Sequence, residues 1–504
     1  MIAALKLAPV DPYALARKEC EAMFEELEKL GAVSHVDLGK RIREALQRIG
    51  AQAYQGHLDQ LFEAEAEEVP LWPRPSGSEV RPRARGLETE FGRVQVRRHG
   101  YRLEGEGSAR FPLDEALSLP PEVYALPLRE RVAKEASAAS YDAAVEHVAD
   151  VTAGYVPKRQ SEQLAIRAAT DFDAFYEERV PPANDALSPR ALQVMSVDGK
   201  GVTMRPEALR DATRKQLEAA KASAVRGDPM AQRKVRRSDK RMATVTAVWE
   251  QERFVRGAED VLERLGRDPK GRARSPRAVT PRPQNKRLAA SVKLAHAASV
   301  AKMFDEAQRR NPQGHRDTVV LVDGAEHQLD TVNAEARTRG MRITVVLDLI
   351  HVLHYLWTIA MVLSGGDERE AEAWSGRTLD KLLTKHPLDV VALIRQTATL
   401  RGIEDAERRT LDDAVEYLRK NSVYIHYARF LAEGFPIATG VIEGACRHLV
   451  QDRMGITGAR WGLEGAEAVL KLRAIRASGD WATYWAFHLR REHARNHPQA
   501  LPRP

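Results

Sequence analysis

Cysteine is nearly absent: the 504 residues contain only two, Cys20 and Cys446. Far apart and outside any CxxC pair, they exclude a disulfide framework and a structural zinc site. No apolar run is long and clean enough to cross a bilayer. The greasiest stretch, Ile343 to Leu363, is broken by Asp348, His351 and His354, so it reads as a buried strand running into a buried helix. The opening residues, MIAALKLAPVDPYALARKE, lack a basic region leading into a long apolar segment and a cleavage site. No secretory signal is expected, and cytoplasmic placement follows. A large excess of one charge is also missing, since 78 Lys and Arg face 71 Asp and Glu for a net charge of +7. Contact with a polyanion therefore depends on local clusters and not on the total.

Hydrophobic residues reach 43% beside 30% charged ones, enough to build a large core. The length suggests roughly three domains. Helical spacing of Met23, Leu27, Leu30, Leu38, Ile42, Leu46 and Ile49 predicts a helical leader over residues 1–69. Residues 70–86, rich in Pro, Gly and Arg, read as a basic linker. Strands at Glu88–Glu90 and Val94–Arg98 around a Phe91-Gly92-Arg93 turn predict a small hairpin. Within 87–185 a helix-turn-helix candidate follows: Ser140 caps a first helix, Gly154 takes a left-handed turn, and Pro157 starts a second helix. That helix would show Lys158, Arg159 and Gln163 to a DNA groove. An ordinary helical hairpin has the same sequence shape.

Beyond Pro189 the period shortens. Gln193–Met204, Ala243–Glu250, Lys286–Ser291, Thr318–Asp323 and Arg342–Asp348 read as strands, with helices at Val292–Arg310 and Leu329–Arg339. The helix Val292–Arg310 is expected to turn Leu294, Ala298, Ala301, Phe304 and Ala307 inward. The order β-β-β-α-β-α-β predicts an α/β sheet with at least one parallel pair. Basic stretches near 205–241 and 267–287, including Arg236, Arg237, Arg272 and Arg274, read as loops or arms that favour a polyanion. Residues 364–435 are helical in pattern, and 436–504 form a helix-rich tail.

Two aspartates, Asp198 and Asp323, each end or interrupt an apolar strand and precede a glycine. A carboxylate in a dry setting needs a partner or a hard cation such as Mg²⁺; alternatively each begins an Asp-Gly turn. Glu443, in a helix opened by Gly440, is the best third carboxylate for a two-metal site, with Arg447 one turn on. The other reading is an exposed Glu443–Arg447 pair. Asp348 and His351 form a second polar pair at a strand–helix junction. Trp461 either stacks on an unpaired base or packs in the core.

The segments VMSVDGKG, KRMATVTAVWE, VVLVDGAEHQ, VVLDLIHVLHYLW, GVIEGACRHLVQDRM, ITGARWGLEGAEAVLKLRAI and SGDWATYW, from the Gly92-Arg93 hairpin through PLDE (Pro112 to Glu115) to Trp485, form a linked series. Together they resemble the blocks of bacterial insertion-sequence transposases of the ISKra4 group. The resemblance implies an α/β ribonuclease-H-like core over 186–363, a helical insertion over 364–435, a catalytic helix within 436–504, and a mainly α DNA-binding region before them. It implies a DDE transposase in which Asp198, Asp323 and Glu443 hold two Mg²⁺ ions, with Mn²⁺ an acceptable substitute. These would cleave DNA strands at transposon ends and join them to target DNA. Lys200, Arg447 and Arg453 would contact DNA. Where related sequences carry a cysteine pair before PLDE this chain has Leu103-Glu-Gly-Glu-Gly107, so no zinc is expected. The implied partners are double-stranded DNA and further copies of the chain, a homodimer or larger, at the bacterial nucleoid and not at a membrane. Two other readings stand beside it: an inactive DNA-end-binding protein, and a structure-selective nuclease of the same fold.

Overall fold

Thr318-Val-Val-Leu-Val322 has no polar alternation, and every one of its residues is buried. That is how a strand covered on both faces reads. It lies inside a mixed five-stranded sheet in the computed structural model, which describes residues 11–71, 79–102, 110–181, 187–222, 239–266, 279–438, 440–456 and 458–497. The chain folds as two compact units: Met1–Glu178 with Asp480–Pro504, and Arg179–Gly479. The segment 436–504 is thus divided at Gly479.

In the first unit, helices Ala14–Lys29 and His35–Glu68 precede a hairpin of β1 (Glu79–Thr89) and β2 (Gly92–Arg102). The hairpin is longer than its sequence suggested, and residues 79–86 are strand where a linker was expected. Pro82 is tolerated because a two-stranded sheet has only edges. Gly92, at φ +106°, makes the turn. Leu87, Val94 and Val96 pack on Leu58 of the long helix. Helices Leu126–Ala138, Tyr141–Val151 and Lys158–Ala168 share a second core through Leu128, Val132, Val148 and Leu164. Ser140 caps the second of these helices, accepting from Ala143 N at 3.1 Å. Gly154 is not left-handed, contrary to the expected turn. A Cβ there would stand 2.4 Å from Thr89 O, so the glycine serves a close approach to the hairpin. The last helix, Trp481–Asn496, closes this unit by surrounding the buried Asp171 with His488, Arg491 and Arg495. Burial alone would push the Asp171 carboxyl up, but hydrogen bonds from His488 and Arg495 hold it well below the usual carboxylate range.

In the second unit, β3 (Leu192–Thr203), β4 (Lys240–Gln251) and β5 (Gln284–Ser291) pair antiparallel. Strands β6 (Thr318–Val322) and β7 (Ile343–Leu347) then add parallel to β3, giving the order β5-β4-β3-β6-β7. The crossover helices are His296–Arg310 and Glu326–Thr338. The first starts later than expected, and its phase buries Val300, Met303, Phe304 and Ala307 while leaving Ala298 exposed. Residues 211–222, read as part of a basic loop, form a helix. Helices Leu349–Leu363, Glu368–Thr384, Pro387–Leu400 and Asp405–Lys420 follow, so the segment after β7 is helical as expected. Helix Leu463–Ser478 packs on β5, where Glu467 accepts from Ser291 Oγ and Val292 N. Among the described residues no helix is long and apolar enough to cross a membrane.

Candidate active site

Strand register lines up three acids. Ser196 pairs with Leu321 across β3 and β6, and Val322 pairs with Leu347 across β6 and β7. Continuing the same offsets sets Asp198 beside Asp323 and Asp323 beside Asp348. Neighbouring strands lie about 4.8 Å apart, so the row stands on one level, just past the carboxyl ends of β6 and β7 and beside the middle of β3. In β3 the buried run Leu192–Val197 gives way to half-buried Asp198–Gly201, so this acid sits where the strand emerges from the core.

The two Asp-Gly pairs differ in origin. Asp323 begins a true turn: Gly324 has φ +85°, and the Asp323 carboxylate accepts from Ala325 N at 2.8 Å and Gln328 Nε2 at 3.2 Å. Asp198-Gly199 stays within β3, opposite Val245 and Thr244. Its Oδ1 accepts from Gly199 N at 2.6 Å and its Oδ2 from the Cys446 thiol at 3.2 Å. Asp348 is buried and caps helix Leu349–Leu363, accepting from Ile350 N at 2.8 Å.

Two tyrosines of the helical segment pin the backbone at the second and third acids of the row. Tyr417 Oη donates to Asp323 O at 2.6 Å, and Tyr427 Oη to Leu347 O at 2.9 Å. Burial pushes both phenols up, so they remain donors.

Helix Gly440–Ala445 supplies Glu443, and Asp198, Asp323, Asp348, His351 and Glu443 line one small cleft. Just beyond it the backbone widens into a π-helical turn, Cys446–Gln451, a form that recurs at functional sites. This turn carries Cys446 against Asp198. Burial first, then the charge of Asp198, pushes its thiol up.

The donor set suits a hard divalent cation: four carboxylates and an imidazole line one cleft. No ion pair among the described residues neutralises Asp198, Asp323 or Glu443. His351 Nδ1 is buried there with no hydrogen-bond partner among the described residues. The side chains converge on the cleft without closing to ligand spacing: among the described residues no three His, Cys, Asp or Glu stand as a metal-holding group.

Other expected residues fall elsewhere. Arg447 is exposed and pairs with Asp452 at 3.5 Å, not with Glu443, because the π-helical turn alters the spacing beyond Ala445. Arg453, expected on DNA, is only 2% exposed, its guanidinium 4.6 Å from the Trp461 ring centre. Trp461 is itself buried and joined to Met204 by a strand bridge, so it packs the core. Lys200 lies on β3 two residues from Asp198, hence on the same face. Lys158, Arg159 and Gln163 are exposed on one helix, Lys158 pairing with Asp142 at 2.6 Å. Arg236, Arg237, Arg272 and Arg274 lie outside the described residues.

Two neighbours of the cleft escaped the sequence reading. Cys446 follows Glu443 at helical i+3 spacing, the signal that would have found it. His296, whose imidazole burial and His327 push down against the opposing charge of Asp323, carried no sequence signal. No protein-family model and no curated protein matches the chain.

Proposed function

We propose that the chain is a DDE transposase, a metal-dependent enzyme that cleaves DNA strands at transposon ends and transfers them into target DNA. The observation that carries this reading is the meeting of Asp198, Asp323 and Glu443, drawn from two adjacent strands and a helix 120 residues further on, at one cleft where no ion pair among the described residues neutralises them. The sheet order β5-β4-β3-β6-β7 supports a ribonuclease-H-like core, with the helices after β7 as its insertion. Helices Tyr141–Val151 and Lys158–Ala168 would form the helix-turn-helix, with Arg159 and Gln163 toward the DNA.

Asp198, Asp323 and Glu443 would hold two Mg²⁺ ions, which when bound supply Lewis-acid activation of water or a DNA 3′-hydroxyl and stabilise the leaving oxygen. The chain's own residues orient the strand. Lys200, on the face of β3 that bears Asp198, meets a backbone phosphate. Asp348 fixes the start of its helix and so positions His351 in the cleft. No side chain bonds covalently to DNA. Processing two ends together calls for at least two copies of the chain.

The test is cleavage and joining of end DNA in Mg²⁺ or Mn²⁺. The wild type nicks and produces joined strands, and Asp198→Ala, Asp323→Ala and Glu443→Ala each do neither. Cleavage without joining would indicate a structure-selective nuclease. Binding without cleavage would indicate an inactive end-binding protein. Cleavage that survives all three substitutions would refute the site.

A further inference from the structure

The register of one widened turn decides which carboxylate Arg447 meets. In an α-helix residues four apart share a face, so a regular helix through Glu443 would bring Arg447 alongside it. The π-helical turn Cys446–Gln451 bonds each amide one residue further back and brings residues five apart together. Arg447 accordingly pairs with Asp452, five residues on, its Nε 3.5 Å from Asp452 Oδ1. His448 Nδ1 meets the other oxygen of the same carboxylate at 2.9 Å. Glu443 is left on the cleft, where no ion pair among the described residues neutralises it.

A π-helical turn is rare, so something must hold it. Helix Leu463–Ser478 supplies the brace. It is anchored to the edge strand β5, where Glu467 accepts from Ser291 Oγ at 2.9 Å and from Val292 N at 3.0 Å. Further along the same helix Arg473 reaches the turn. Its Nε donates to His448 O at 2.9 Å and to Leu449 O at 3.0 Å, and its Nη2 donates to His448 O as well. One planar guanidinium thus grips two consecutive carbonyls of the widened turn, a fork of donors that lysine lacks. The same turn sets the Cys446 thiol against Asp198 Oδ2 at 3.2 Å. The arginine therefore stands behind two acids of the cleft.

We propose that Arg473 is a positioning residue for Glu443: it holds the π-helical turn, and the turn keeps Arg447 on Asp452 and off the carboxylate that would bind metal. The inference rests on the proposed function in taking Glu443 as a metal ligand. Without the brace the turn relaxes to α spacing and Arg447 swings to Glu443. There its guanidinium occupies the carboxylate oxygens and repels a divalent cation.

The test is Mn²⁺ binding to the full chain without DNA, followed by electron paramagnetic resonance, beside thermal melts. Glu443→Gln marks the loss expected when the ligand itself is removed. Arg473→Met should weaken Mn²⁺ binding about tenfold or more, the usual cost of losing a group that orients a ligand. Adding Arg447→Ala to Arg473→Met should restore most of that affinity, because the competing ion pair can no longer form, and should leave the lowered melting temperature as it is. A residue that only stabilised the fold would show no such recovery. Arg473→Lys carries the same test if Arg473→Met fails to fold, with a smaller loss that Arg447→Ala again recovers. Unchanged affinity in the Arg473 variants, or a loss that Arg447→Ala does not recover, overturns this proposal alone. Wild type that binds no Mn²⁺, or binds it equally after Glu443→Gln, overturns it together with Glu443 as a ligand.

Discussion

The Cys446 thiol donates to Asp198 Oδ2 at 3.2 Å, tying the π-helical turn beyond Glu443 to the middle of β3 across 248 residues of chain. Removing it with Cys446→Ala should cost about 1 kcal/mol, the worth of one hydrogen bond and a little buried volume. Urea midpoints measure it. Burial and the charge of Asp198 keep the thiol protonated, so a thiol reagent at pH 8 should label half-buried Cys20 quickly and Cys446 only on unfolding.

Gly324 and Gly199 each follow an acid of the cleft, yet they should respond unequally to alanine. At Gly324, φ is +85° and a Cβ would lie 2.6 Å from Tyr417 Oη and 2.7 Å from Leu347 Cδ1. Gly324→Ala should lower stability by about 2 kcal/mol or more. At Gly199 the backbone is ordinary strand and the one neighbour is the flexible tip of Met242, 3.1 Å away. Gly199→Ala should change stability by less than about 1 kcal/mol. Thermal melts of the two variants side by side give the comparison, and equal losses would count against the turn geometry.

Asp171 should make the first unit acid-sensitive. Its folded carboxyl is held below the ordinary value by His488 and Arg495. The stability it contributes is therefore complete above the unfolded value of about 3.9 and is lost as pH falls through and below it. Asp171→Asn should cost about 3 kcal/mol at pH 7, as breaking a buried pair does. The gap between wild type and variant should shrink from about pH 5 downward. A gap constant down to pH 2 would contradict this.

Two arginines once grouped together as DNA contacts should separate. Arg159 is exposed on helix Lys158–Ala168, and Arg453 is packed beneath Trp461. On the proposed function, Arg159→Ala should weaken binding of end DNA and reduce the salt dependence of log K by about 1. Arg453→Ala should leave that slope unchanged and lower the melting temperature. Anisotropy titrations at several salt concentrations, paired with melts, distinguish the two.

The strands and crossover helices were legible because buried parallel strands spell themselves out: Val319–Val322 and Val345–Leu347 are unbroken, buried apolar stretches. What a single strand does not reveal is its neighbour. The same apolar-run-then-Asp pattern ends both β6 and β7, yet only the β3-β6-β7 order makes Asp348 the third member of a row. Arg447 was misplaced because regular helical spacing was carried through a π-helical turn, and Arg453 because charge is a poor guide to burial when an indole ring can cover it. Residues 79–86 looked like linker because proline and arginine are rare in strands, but an edge accepts both.

The first unit is built from two segments that the whole second unit separates in sequence. Asp171 is made first, and its buried partner His488 emerges 317 residues later. The segment that holds Asp171 leaves the ribosome with its polar hub unfilled and waits, through translation of the whole α/β unit, for helix Trp481–Asn496 to arrive. A polypeptide cut short anywhere before that helix lacks the groups that neutralise Asp171, so correct assembly of the segment around Asp171 reports that translation has passed through the whole second unit.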